Sequence, residues 1–178
     1  SEVEKLTEDV KRLIEKSKRN NRDILRKVKE DIDEWRKRTK KIADEVRKTE
    51  RDLEEKIKRT KDEEIIKRIK KEIDEILKRV EDLVRDTKER VKEVDTEVKK
   101  LAEDNKREND DVLKKVREAG VSDEVLRRIE EDLKRSKKET DDILKEVKDL
   151  LTDLLRRDDE VLEEIKRRAE RIKEEIDR

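Results

Sequence analysis

The chain lacks most of the residue types on which protein chemistry depends. It contains no Cys, His, Met, Pro, Phe or Tyr, and only one Trp and one Gly among 178 residues. Without Cys and His, zinc and iron lose their usual ligands, and nucleophilic catalysis loses its usual nucleophile and base. One glycine cannot build a phosphate-binding loop. The sequence therefore predicts no enzyme, no metal site and no cofactor.

Charged residues are abundant instead, at 62% of the chain, and 55 basic and 55 acidic side chains cancel to zero net charge. The two signs are interleaved, which argues against the basic face of a nucleic-acid-binding protein. No apolar run approaches the roughly 18 residues of a membrane span, and no basic, aromatic-rich face suits a membrane surface. No targeting signal is recognisable. Location thus stays open, with soluble expression in a recombinant cytoplasm as the expectation.

Apolar residues recur every three or four positions, as expected for helices that bury one stripe. Three such series are separated near residues 60–62 and 119–122. They predict helices at about 2–60, 63–118 and 123–177 within a single domain, residues 1–178. Short connections force long neighbouring helices to run antiparallel. The predicted fold is all-α, an elongated, coiled-coil-like, antiparallel up-down-up three-helix bundle.

The two interruptions differ in strength. Gly120 suits the left-handed position after a helix end, Val121 is expected to pack back, and Ser122 is a good N-cap for the next helix. Near Asp62 the signals are a slip in the phase of the stripe and a capping aspartate. One continuous helix through Asp62 therefore stays an alternative to a turn.

Polar residues interrupt the stripes, and folding the helices back at the turns brings them into two groups. The first group is Ser17, Asn21, Asn105, Ser136 and Thr140, with Asn20 and Asn109 close by. The second group is Trp35, Thr39, Thr87 and Asp158. Buried polar groups cost stability unless they are paired, so hydrogen bonds within each group are expected, with Asp158 bonded to Trp35 or Thr39. The alternative is that these side chains reach solvent at a bundle edge.

The positions of the turns also predict which residues lie level with each other. Ser17 should be level with Asn105, and Asn21 with Thr140. A turn centred near residue 120 places Asn105 level with Ser136. Thr49 and Leu101 are assigned to the stripes as well, and Thr49 has no predicted partner.

The chain resembles de novo designed, parametrically generated helical bundles with built-in hydrogen-bond-network layers. The resemblance covers the whole chain and rests on an aliphatic core, a Lys/Arg/Glu/Asp surface, the loop AGVSDE and the polar layer of Ser17, Asn21, Asn105 and Ser136. Spectrin-type repeats share the architecture but carry aromatics and histidines that this chain lacks. The resemblance implies a structural scaffold with no natural biochemical function. Idealised bundles also resist heat, so no cooperative melt is expected below about 90 °C.

The alternative function is an assembly or binding module that forms a homo-oligomer or accepts a partner helix. Pairs of adjacent apolar residues supply more apolar side chains than a narrow stripe needs. They are densest in the third helix, at Leu150, Leu151, Leu154 and Leu155. One core can absorb this surplus, because each helix of a three-helix bundle touches two neighbours. A monomer with no required partner is therefore favoured, and any self-association is predicted at this face.

Overall fold

The computed structural model describes residues 1–177, which form three α-helices and, within that range, no strand. The helices are α1 (Glu2–Arg59), α2 (Glu63–Glu118) and α3 (Asp123–Asp177). The all-α, three-helix fold predicted from the stripes is thus confirmed. The alternative of one continuous helix through Asp62 is wrong.

Local hydrogen bonds explain why α1 stops and α2 starts without Gly or Pro. The Asp62 carboxylate accepts a hydrogen bond from the backbone N–H of Glu64 at 3.0 Å, and the Asp62 carbonyl accepts one from Ile66 at 3.0 Å. The Thr60 hydroxyl accepts a hydrogen bond from the backbone N–H of Asp62 at 3.2 Å. Glu63 and Glu64 place negative charge at the positive end of α2. Asp62 therefore acts as the N-cap that the sequence suggested.

The second turn depends on the single glycine. Gly120 has φ +64°, a left-handed conformation that favours glycine, and no other residue in 1–177 has a positive φ. Ser122 caps α3, since its hydroxyl accepts a hydrogen bond from the N–H of Val125 at 3.3 Å. Val121 packs against the neighbouring apolar cluster, as predicted for the residue after the glycine.

The contacts divide the chain into two compact units whose boundaries fall inside helices. Unit 1 consists of Ser1–Glu30 and Lys92–Leu150, and unit 2 of Asp31–Val91 and the part of α3 from Leu151 onward. Each unit therefore contains a segment of all three helices. That residues 1–178 fold as a single domain stays a prediction.

Within unit 1, a buried aliphatic cluster comprises Val10, Leu13, Val116, Ile129 and Leu133. Ion pairs between exposed side chains fix the helix directions. Lys16 pairs with Glu108 and Lys27 with Glu97, so α1 and α2 run antiparallel there. The Asn21–Thr140 hydrogen bond and the Lys29–Glu146 pair have both residue numbers rising together, so α1 and α3 run parallel.

Within unit 2, the buried core is larger and also aliphatic. Its members are Ala43, Val46, Leu53, Ile69, Ile73, Ile76, Val80, Ile165, Ala169 and Ile172. Arg38 pairs with Asp86, and Glu45 with Arg79, so α1 and α2 are antiparallel in this unit too. Burying an aliphatic side chain contributes about 1.5–3 kcal/mol. Core packing is therefore the main source of stability in both units.

Candidate functional site

The described residues offer no reactive centre, so the candidate site is the set of buried polar side chains. Among residues 1–177, no group of three or more His, Cys, Asp or Glu side chains is arranged to hold a metal ion. None of the helices in that range carries an apolar stretch long enough to cross a membrane. Buried polar groups are the exception in a core; those of unit 1 are neutral, whereas unit 2 buries two carboxyls, Glu50 and Asp158, together with the hydroxyls of Thr39 and Thr87.

In unit 1, Asn105 on α2 joins all three helices. Its amide oxygen accepts a hydrogen bond from the Ser17 hydroxyl of α1 at 2.5 Å, and its amide nitrogen donates to the Thr140 hydroxyl of α3 at 3.0 Å. Thr140 also accepts from the Asn21 amide at 3.2 Å and donates to the Ser136 carbonyl at 3.1 Å. Thr140 therefore uses its one proton and both lone pairs.

The levels predicted for α2 and α3 are wrong by one helical turn. Asn105 was expected level with Ser136, but it bonds to Thr140, four residues further along α3. The ion pairs Lys106–Asp141 and Arg117–Glu130 are offset in the same direction. The two helices are therefore shifted along each other relative to the alignment that a turn centred near residue 120 predicts. The levels predicted for Ser17 with Asn105, and for Asn21 with Thr140, match the hydrogen bonds.

Two polar side chains of unit 1 lie in the core without taking part in this network. Asn109, one turn beyond Asn105, is fully buried, and neither its amide oxygen nor its nitrogen has a partner. The hydroxyl of Ser136 is also buried and unpaired. Asn20, by contrast, is exposed. Of the seven polar residues expected at this place, four therefore satisfy one another.

One side of the network borders a surface groove of unit 1. Asn21 and Asn105 line it together with Asn20, Ile24 and Leu101. Asn105 is accordingly half-buried, whereas Ser17 and Thr140 are nearly inaccessible. The side chains of the network thus bond to one another, as predicted for this group. The network also lies near the bundle edge, as the alternative prediction held.

In unit 2, the second predicted group is buried, but its hydrogen bonds differ from the prediction. Trp35, Thr39, Thr87 and Asp158 are all inaccessible or nearly so. Asp158 was expected to bond to Trp35 or Thr39. The Thr39 hydroxyl has no partner, and no hydrogen bond within residues 1–177 joins Asp158 to the Trp35 indole. The polar side chain that interacts with Asp158 and lowers its pKa is Thr87, on α2. The expected pairing with Trp35 or Thr39 is therefore wrong, because the partner comes from α2 and not from α1.

Asp158 is incompletely satisfied by Thr87. The Thr87 hydroxyl donates to the Leu83 carbonyl at 3.0 Å, and its single proton serves one acceptor at a time. The Oδ2 atom of Asp158 has no partner. Burial raises the pKa of Asp158 above its ordinary value, while the hydrogen bond from Thr87 lowers it and the charge of Asp159 raises it.

Sequence reasoning missed Glu50, the most completely buried charged-type residue. Its side chain has 0% exposure, and both carboxyl oxygens lack a hydrogen-bond partner. The stripe was assigned to Thr49, which is half-buried and donates to the Glu45 carbonyl at 3.0 Å. Between Val46 and Leu53, a stripe through Thr49 takes steps of three and then four residues, and a stripe through Glu50 takes steps of four and then three. Both spacings are helical, so spacing alone does not choose between positions 49 and 50.

The same error of one position occurs on α2. Leu101 was assigned to the stripe, yet it is 45% exposed, and Ala102 is buried in its place. On α1, Ala43 is buried, whereas its neighbour Ile42 is only partly so. In both pairs, helical spacing assigns the larger apolar residue, Leu101 or Ile42, to the stripe. At these places the buried position holds an alanine, which an assignment based on large apolar side chains overlooks.

Comparison with solved structures supports the fold. No protein-family model and no curated protein matches the chain. A solved structure described as "Computationally designed three helix bundle" superposes with a TM-score of 0.52 and 24% sequence identity. The match covers 98% of this chain and 87% of that one. The similarity establishes the three-helix bundle fold.

Proposed function

We propose that the chain is a designed structural scaffold whose polar layer fixes the alignment of its helices and which has no biochemical activity of its own. The observation that carries this proposal is the Asn105 side chain, whose oxygen and nitrogen are both used, one toward each neighbouring helix. Support for a designed origin comes from the composition and from the fold shared with a designed bundle.

The polar layer disfavours an alignment that removes the amide from its partners. Sliding α2 by one turn so that Leu101 lies level with Ser17 and Thr140 would leave both hydroxyls without Asn105, whereas the opposite slip would bring the equivalent amide of Asn109 to that level. An unpaired buried polar group costs about 1–3 kcal/mol. A layer of aliphatic residues would tolerate such a slip far better, so the network discriminates between alignments even where it adds little net stability.

Mass and thermal stability test the scaffold proposal. Light scattering of the purified chain should give a monomer near its sequence mass of 21.7 kDa. Circular dichroism should show no cooperative melt below about 90 °C, the outcome typical of idealised bundles. A melting midpoint near 60 °C would contradict the scaffold as described.

The alternative function is a homo-oligomeric assembly module, and its contact surface is predicted on α3. Leu151 and Leu154 are buried in the core, so only Leu150 and Leu155 remain half-buried and accessible. If the chain assembles through this face, light scattering will give a multiple of the monomer mass, and Leu155→Glu will reduce it. Thr96→Glu, at an exposed position of α2, is the control with the same added charge and should leave the mass unchanged.

A further inference from the structure

Glu50 lies at a fully buried position where its carboxyl has no hydrogen-bond partner. Val46 and Leu53 flank it on the same face of α1, and both belong to the aliphatic core of unit 2. That core also includes two small residues, Ala43 and Ala169. Moving an ionised carboxylate out of water without a partner is costly, whereas a neutral carboxyl is tolerated much better.

We propose that Glu50 is a proton-binding site built into the core of unit 2, occupied while the helices are packed, and that loss of its proton loosens that unit. The ligand is a proton, and the site is the carboxyl itself. This inference goes beyond the scaffold proposal and does not depend on it, because it follows from the burial of one side chain whatever the origin of the sequence.

The charged groups that face Glu50 come from α1 and α3. On α1 they are Arg47 and Glu54, and on α3 they are Glu164 and Arg168. The segment of α2 in this core contributes isoleucines such as Ile73, and its nearby acidic residues Glu72 and Asp74 are exposed. Asp74 is paired with Lys173 at 2.6 Å.

Neither arginine is free to neutralise an ionised Glu50. The Arg47 guanidinium is bidentate to Glu164, with Nε–Oε1 at 3.2 Å and Nη2–Oε2 at 3.0 Å. The Arg168 Nε lies 3.8 Å from Glu54 Oε1. The charges of the two arginines and the two glutamates cancel, and no hydrogen bond links any of these side chains to the Glu50 oxygens. A charge on Glu50 would therefore be an uncompensated one.

The electrostatics agree with this geometry. Burial raises the pKa of Glu50 from its ordinary 4.5 to about 7; Arg168 lowers it, Glu54 and Glu164 raise it, and Arg47 lowers it. Because the folded chain binds this proton more tightly than the unfolded chain, the stabilisation from Glu50 is complete below pH 4.5. It is lost as the pH rises through 4.5 to about 7.

Paired unfolding curves of the wild type and Glu50→Gln test the proposal. Glutamine has the same shape and does not titrate, and guanidinium chloride as denaturant screens the surface ion pairs. The ratio of the two unfolding equilibrium constants, wild type over variant, should rise by about 200-fold from pH 4 to pH 8, most of the change that corresponds to the difference between the two pKa values. A ratio that stays constant over this range would overturn the proposal.

A matched control and a direct readout separate protonation from packing. Glu55→Gln, at an exposed position of the same helix, should show a ratio near one at both pH values. In the folded wild type, the ¹³C resonance of the Glu50 carboxyl should titrate with a midpoint near pH 7. Through-bond correlation with the Glu50 side-chain CH₂ groups assigns that resonance, so the readout does not depend on the variant. A midpoint near 4.5 would show that the carboxyl reaches water, and the proton site would be rejected even if the glutamine variant failed to fold.

Discussion

Unit 1 and unit 2 both bury polar side chains, but they differ in how these are paired: unit 1 has a hydrogen-bonded network beside the unpaired Asn109 amide and Ser136 hydroxyl, whereas unit 2 buries carboxyls that no such network satisfies. In unit 1, amides and hydroxyls from three helices meet, and Asn105 and Thr140 exchange four hydrogen bonds with their neighbours. In unit 2, the carboxyls of Glu50 and Asp158 carry three oxygens without partners. Burial alone thus does not indicate whether a polar side chain stabilises the fold.

The difference comes from the chemistry of the groups. An amide has both a donor and an acceptor, and a hydroxyl can serve as either, so a few neutral side chains can satisfy one another. An ionised carboxylate only accepts, and unit 2 places no free donor beside Glu50. A proton is the remaining way to relieve the carboxylate, which makes unit 2, and not unit 1, the part that responds to pH.

The largest expected effect is at Glu50. Replacing it with leucine at pH 8 should increase the free energy of unfolding by about 3 kcal/mol, because the cost of removing the proton disappears. Chemical denaturation measures this change. Glu55→Leu, on the exposed side of α1, should shift stability by less than about 0.5 kcal/mol. A loss of stability in Glu50→Leu would show that the carboxyl makes a favourable interaction in the core.

Asn105→Leu should have the next largest effect, with the opposite sign. It leaves the buried Ser17 hydroxyl without its acceptor and removes one donor from Thr140, which should cost about 2 kcal/mol in the free energy of unfolding. Asn20→Leu is the control, because this asparagine lies in the same unit but is exposed. Equal losses in the two variants would mean that the network contributes nothing specific.

Asp158→Asn should have a smaller, pH-dependent effect. Burial raises the pKa of Asp158, so its stabilisation is present at low pH and is lost as the pH rises through that value. The free energy of unfolding of the variant should exceed that of the wild type by on the order of 1 kcal/mol at pH 8 and by less at pH 4. Unfolding curves at the two pH values measure the gain. A gain independent of pH would place its cause in packing.

Asp153→Asn should have the smallest effect, and its pH dependence should run the other way. A hydrogen bond from Arg156 at 2.7 Å lowers the pKa of Asp153, with Arg157 and Arg36 adding to the effect. Its contribution is therefore present at neutral pH and is lost as the pH falls through that lowered pKa. The ion pairs are exposed, so high salt should remove the difference from wild type. A difference that survives 1 M salt would contradict this.

The fold was predictable because its signals are local and repeated. Helix periodicity, the Gly120–Ser122 turn and the Asp62 cap each depend on a few neighbouring residues, and together they determined three helices and two turns. The first polar group was also predictable, since Ser17, Asn21, Asn105 and Thr140 are neutral residues in an otherwise aliphatic stripe.

Glu50 and the pairing of Asp158 were not predictable for a different reason. A glutamate among 55 acidic residues carries no signal of burial, and only packing against the other helices decides between positions 49 and 50. The partner of Asp158 depends on how the helices pack, which leaves the Thr39 hydroxyl unpaired and makes Thr87 the hydroxyl that interacts with Asp158. Both facts involve tertiary contacts that a periodic stripe does not encode.

The central claim is that pairing, rather than burial, decides the effect of a polar side chain in this core. It is tested most directly by measuring the unfolding free energies of Asn105→Leu and Asn109→Leu side by side in guanidinium chloride. The two asparagines lie one turn apart on α2, and only Asn109 is buried without a partner. We expect Asn109→Leu to raise stability by about 1 kcal/mol and Asn105→Leu to lower it. Losses of similar size in both variants would contradict the claim.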